Sequence, residues 1–89
     1  MTSREYRQHL AAQVRAKRIS TQEMGDLLKQ RAFFDHARAR IERRYRGRLV
    51  GFIAGQMMVS TDVHDLLAKA DVAFPDKLLY FEPIGFKLI

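Results

Sequence analysis

Arg38, Arg40, Arg43, Arg44, Arg46 and Arg48 crowd into a single short stretch, the densest run of one chemistry in the chain. A guanidinium is planar, forked and permanently charged, so it pairs bidentately with phosphates and carboxylates alike. Two chemistries follow: contact with nucleic-acid phosphates, or docking on an acidic protein surface. Placed on a helix, Arg31, Asp35, Arg38 and Glu42 fall at i, i+3 and i, i+4 spacing, and an ion-pair ladder takes up two of the arginines. The candidate contact residues are then Arg40, Arg43, Arg44, Arg46 and Arg48. The first three are expected on the side opposite Phe34 and Ile41, and the last two around a turn.

Other site chemistries find no footing. His9, His36 and His64 are far apart, without the paired ligands of a metal motif, and no Gly-rich phosphate loop or nucleophile elbow occurs. His64-Asp65 has the residue types of an acid/base pair. Asp62 and Asp65, however, are also what the start of a helix favours electrostatically. The run Ile19 to Leu28 has the Thr-Gln-Glu opening of a helix-turn-helix, yet Lys29 to Phe34 continue helical where that motif needs a break. The expectation is a protein that is not an enzyme, with no catalytic residue, no metal and no cofactor.

The charge is as uneven as the arginines suggest. Residues 1–48 hold 13 Lys and Arg against 5 Asp and Glu, a balance of +8, while residues 49–89 hold 3 against 5, a balance of −2. No cysteine is present, which excludes a disulfide framework and a thiolate metal site and suits a reducing, cytoplasmic setting. The start of the chain lacks the apolar segment of a secretion signal. The longest apolar run, Leu49 to Ala54, is far short of the ~20 residues that span a membrane. Hydrophobic residues at 47% are enough for one folded core in 89 residues.

The elements that must carry these residues can be read from caps and periodicity. Thr2 and Glu5 have capping-box spacing, and Tyr6, Leu10 and Val14 form a narrow stripe on a helix from Ser3 to Lys17. Ser20 and Glu23 form a second capping box, and no breaker follows before Arg46-Gly47. A helix from Ser20 to Tyr45 would be about 39 Å long, longer than a globule of this size is wide. Its apolar stripe also drifts: Met24 and Leu28 lie on a different side from Phe34, Ala37 and Ile41. Either it bends around Lys29 to Phe33, or its ends face different neighbours. Both versions point to a homodimer, with Tyr6, Leu10, Val14, Met24 and Leu28 as the face for a second copy or a partner helix.

After Gly47 the period becomes extended. Leu49 to Ile53 and Gln56 to Val59 read as a hairpin around Ala54-Gly55, with Gly47 and Gly55 as structural turns. Gly51 inside a strand implies close approach of a backbone or a large side chain. Ser60-Thr61-Asp62 starts a helix to about Val72, Leu78 to Glu82 reads as a strand, and Phe86 to Ile89 as a short strand or tail. The fold class is α+β in one domain. A basic helical arm (1–45), whose long second helix is either continuous or kinked, precedes a β-β-α-β scaffold (46–89) with a small, mainly antiparallel sheet.

Tyr45, Gly47, Val50 and Gly55, with the Ser60-Thr61-Asp62 cap and the Leu78 to Glu82 strand, trace a Tyr-x-Gly-x-hydrophobic-Val entry into such a unit. In this, residues 34–83 resemble a family of short, uncharacterised prokaryotic domain-of-unknown-function proteins; Gly51 stands where that family more often has Ala. The resemblance carries no catalytic residue. It implies, for some members, a role as the small partner in a toxin-antitoxin pair or a gene beside that of a nuclease or protease. The expected function is therefore an interaction module that binds an acidic protein partner through its basic half. The alternative is a dimeric nucleic-acid-binding protein, regulating its own transcription through arginine-phosphate contacts.

Overall fold

Local chemistry sets the two N-terminal helices. The computed structural model, which describes residues 2–88, places α1 at Ser3–Arg15 and α2 at Thr21–Arg44. Both begin on reciprocal capping boxes. The Thr2 hydroxyl accepts from the Glu5 amide at 3.1 Å, and the Ser20 hydroxyl accepts from the Glu23 amide at 3.0 Å, while each glutamate takes the cap residue's own N–H. These bonds hold the Glu5 carboxyl below its ordinary range. α1 stops at Arg15, two residues short of the expected Lys17. Lys17 takes the left-handed conformation (φ 57), and the amides of Lys17 and Arg18 donate to the carbonyls of Val14 and Gln13. That is a Schellman closure, with lysine where glycine is usual.

α2 is one unbroken helix, so of the two explanations expected for its drifting stripe, a break around Lys29 to Phe33 is absent. Its 24 residues give about 36 Å at ~1.5 Å per residue, which matches the 36 Å long axis of the molecule. Nothing overhangs. The drift of the stripe is resolved within the chain. Met24, Leu27 and Leu28 join the core alongside Tyr6 and Leu10 of α1, and Phe34, Ala37 and Ile41 join it alongside Val50, Phe52 and Tyr80. Of the residues expected as a face for a second chain or a partner helix, Leu10 is buried in this chain's own core, Tyr6, Met24 and Leu28 pack against that core half-buried, and Val14 is half-buried. Both grounds for a homodimer, the length of the helix and its drifting stripe, are accounted for by one chain folding on itself.

β1 (Leu49–Ile53) and β2 (Gln56–Ser60) form the expected hairpin around Ala54 (φ 50) and Gly55 (φ 77). Two successive positive φ values define a type I′ turn, whose twist matches the flanking strands. α3 (Val63–Ala73) starts on Asp62, and β3 (Tyr80–Pro83) completes an antiparallel sheet of order β2-β1-β3. β3 begins two residues later than expected, and the chain ends in an irregular tail through Leu88; Ile89 lies outside the described residues.

All five β1 residues are buried because both sheet faces are covered. Val50 and Phe52, with their cross-strand partners Tyr80 and Glu82, face α1 and α2. Leu49 and Ile53 face the other way, the side on which α3 buries Leu66 and Ala70. The expected arm and scaffold thus share one core. Gly51 is where the close approach occurs: a Cβ there would lie 2.9 Å from the Tyr80 carbonyl and 2.8 Å from Leu79 Cδ1. Gly47 (φ 84) turns the chain from α2 into β1 and donates to the Ile84 carbonyl at 2.7 Å. Among the described residues no helix is long and apolar enough to cross a membrane.

Candidate functional site

Phe33, Ala37, Arg40, Ile41 and Arg44 recur on α2 at the spacing that lines one helix face. α2 lies over β1 and β3 and leaves β2 uncovered. Between helix and hairpin this opens a groove of about 460 Å³. Its floor is apolar, built from Phe33, Ala37, Ile41, Phe52 and Met57; its rim carries His36, Arg40, Arg44 and Tyr45. Phe33 and Met57 are each more than two-fifths exposed, large apolar side chains held open to solvent in a small domain. The rings of Phe33 and Phe52 stand 6.4 Å apart, tilted by 31°.

Gln30 sets the relation of helix to hairpin. It is 1% exposed; its amide oxygen accepts the Gly55 N–H at 2.8 Å, and its amide nitrogen donates to Asp26 at 3.1 Å. A buried glutamine with both ends satisfied fixes the turn against α2, and hence the mouth of the groove. The rim cations are not satisfied in this way. Among the described residues Arg40 has no ion pair or hydrogen bond, and Arg44 has only its guanidinium 5.9 Å from the Tyr45 ring.

A second charged cluster, on the α1 side of α2, is closed on itself. Arg38 donates to both Glu82 oxygens at 2.9 and 2.7 Å and to Asp35 at 2.6 Å, with Glu42 3.9 Å away. Its guanidinium also lies 4.7 Å from the Phe34 ring centre. The Tyr80 hydroxyl donates to Glu82, and Arg31 sits between the Tyr6 and Tyr80 rings while pairing with Asp35. Burial pushes the Glu82 carboxyl up, but its bonds from Arg38 and Tyr80 outweigh that and leave it below its ordinary value. Burial, then the bond to Glu82, pushes the Tyr80 phenol up. The Glu82 bond, partly opposed by burial, strengthens the hold of Arg38 on its proton. Each charge here is spent on its neighbours, so the cluster joins α2 to β3.

The expected contact residues divide among three places. Arg40 and Arg44 line the groove. Arg43 and Arg46 border a shallow depression with Ala39 and Glu42, and the Arg46 stem lies over Gly85. Arg48, at the entrance to β1, is exposed and lines neither. The expectation that Arg40, Arg43 and Arg44 all stand opposite Ile41 needs correction. At about 100° per residue, Arg44 is only about 60° and Arg40 about 100° from Ile41, and Arg43 alone is across the helix. The expected ladder of Arg31, Asp35, Arg38 and Glu42 is present, with Glu82 added from 44 residues away. Phe33, His36, Phe52, Met57 and Gln30 were not expected at a site. The first two were open to discovery, since Phe33 lies seven and eleven residues before Arg40 and Arg44 on one helix stripe.

Around His64, Asp65 is engaged elsewhere: it accepts from the Ser60 hydroxyl at 2.6 Å and pairs with Lys69 at 3.0 Å, which together hold its carboxyl below the usual range. Among the described residues no three His, Cys, Asp or Glu side chains gather as metal ligands. An apolar trough rimmed by uncommitted guanidinium groups is suited to a ligand that offers carboxylates and apolar groups together. No protein-family model, curated protein or solved structure matches the chain.

Proposed function

We propose that the protein is a cytoplasmic, non-enzymatic interaction module that takes an acidic segment of a protein partner into the groove between α2 and the β1-β2 hairpin. The observation that carries this reading is the pairing of exposed Phe33 and Met57 with Arg40 and Arg44, which spend no charge inside the chain. Nucleic-acid phosphates would satisfy arginines without needing an apolar floor; a protein segment with acidic and apolar side chains uses both. The role is antitoxin-like or adaptor-like; the resemblance over residues 34–83 supports the antitoxin-like form, the partner being a toxin or a nuclease.

Affinity capture from the native host, with the wild-type chain beside Arg40→Glu/Arg44→Glu and Arg43→Glu/Arg46→Glu variants, tests it. The expected result is a stoichiometric acidic protein held by the wild type and the second variant and released by the first, unchanged by nuclease treatment. Nuclease-sensitive recovery, lost equally in both variants, would move the assignment to nucleic acid.

A further inference from the structure

We propose that the partner segment enters as an extended strand added to the outer edge of β2, with alternate side chains lying in the groove. This rests on the reading of the groove as a site for an acidic protein. The hairpin decides which backbone groups are on offer. A two-residue type I′ turn makes Ile53 and Gln56 a hydrogen-bonded pair, and such pairs alternate along an antiparallel ladder. Gly51 with Met58 and Leu49 with Ser60 are then bonded as well, so the N–H and C=O of Met57 and Val59 point away from β1. The Val59 carbonyl does face outward: Lys69 Nζ reaches it at 3.5 Å from α3. The side chains of Met57 and Val59 stand on the groove side of the sheet, across from those of Phe52 and Val50.

Exposed edges invite pairing, and proteins commonly guard them with charge, proline or a bulge. β3 carries Glu82 and Pro83. β2 reads Gln-Met-Met-Val-Ser, without charge or proline, and pairs with β1 in unbroken register. A strand laid along it would set every second side chain beside Met57 beneath Arg40 and Arg44, and the others toward Lys69. Of the cations beside the edge, Lys69 is already paired with Asp65, so the uncommitted ones are Arg40 and Arg44 on the groove side. A second copy joined edge to edge would bring Arg40 and Arg44 of the two chains toward one another, whereas acidic residues among the groove-facing positions of an added strand would pair them.

Two synthetic peptides of about twelve residues, with equal numbers of Glu and Leu, test the mode of entry. One sets Glu and Leu in turn at every second position with Ser between them, so that both residue types lie on the strand face toward the groove; the other arranges the same residues at helical spacing. Binding to the full chain is followed by fluorescence anisotropy and by amide exchange. The alternating peptide is expected to bind about tenfold more tightly or better, to slow exchange at the Met57 and Val59 amides, and to lose binding in Arg40→Glu/Arg44→Glu. Preference for the helical peptide, with the same dependence on Arg40 and Arg44, would overturn strand addition and leave the groove reading standing. Failure of both peptides to bind would overturn both. Slow exchange at Met57 in the chain alone, appearing with self-association as concentration rises, would assign the edge to a second copy and overturn the proposal.

Discussion

Arg38 and Arg40 stand two residues apart on one helix and lead different lives. Arg38 is surrounded by Asp35, Glu42 and Glu82 and lies over the Phe34 ring. Arg40 turns about 200° away around the axis to the rim of an apolar groove and meets no acid there. Phe34 and Phe33 repeat the contrast one turn earlier, the first fully buried and the second 43% exposed. Residues of one type, adjacent in sequence, are assigned to holding the fold or to facing outward by which side of α2 the sheet covers. A count of arginines therefore says little about a site. What separates structural from available charge is whether an acid stands within reach.

That division predicts a graded series of stability losses in urea unfolding. Phe34→Ala is expected to have the largest effect, about 3–5 kcal/mol, because it removes the ring packed against Phe52, Tyr80 and Arg38. Phe33→Ala should cost less than about 1 kcal/mol. Equal losses at the two positions would erase the distinction between the faces. Next come Arg38→Ala and Glu82→Gln, each expected to cost about 1–2 kcal/mol after allowance for the partial exposure of both side chains. Each variant breaks the Arg38–Glu82 ion pair, which links α2 to β3.

Glu82 also gives the comparison a pH axis. Its carboxyl titrates below its ordinary value of 4.5 in the folded chain, so the unfolded chain binds the proton more readily. Stability from this group is then fully present above the unfolded value and is lost as pH falls through the folded one. The gap between wild type and Glu82→Gln should be widest near neutral pH and close below pH ~4. Glu5 and Asp65, also lowered, add an acid sensitivity common to both proteins, which cancels in the difference. A gap that stayed constant with pH would mean that the Glu82 charge contributes nothing.

Much of this architecture was legible because it is local. Capping boxes, the Ala54-Gly55 turn and the Asp62 cap are set by residues within four positions of one another, and Gly51 announced a tight contact by lacking a side chain. The bonds between Arg38 and Glu82 and between Gln30 and Gly55 span 44 and 25 residues. No periodicity reports such partners. The groove escaped for a related reason: helical spacing shows that Phe33, Arg40 and Arg44 share a face, but not that α2 passes over β1 and β3 and leaves β2 bare. The length of α2 misled because a helix of about 36 Å is no longer than the molecule's largest extent, 36 Å.

The smallest expected effect is the most informative about the groove. Arg40→Ala/Arg44→Ala should change unfolding stability by no more than ~0.5 kcal/mol, since neither side chain makes an ion pair among the described residues. Removing two nearby like charges from a chain of net charge +6 could even raise it slightly. A loss comparable to that of Arg38→Ala would mean that the rim is part of the framework after all. If stability holds while capture of the acidic partner fails, the two cations are retained in the sequence for a purpose that folding does not supply. The same pair of measurements on Arg38→Ala should give the reverse pattern, lowered stability with capture intact once the temperature is kept well below the transition.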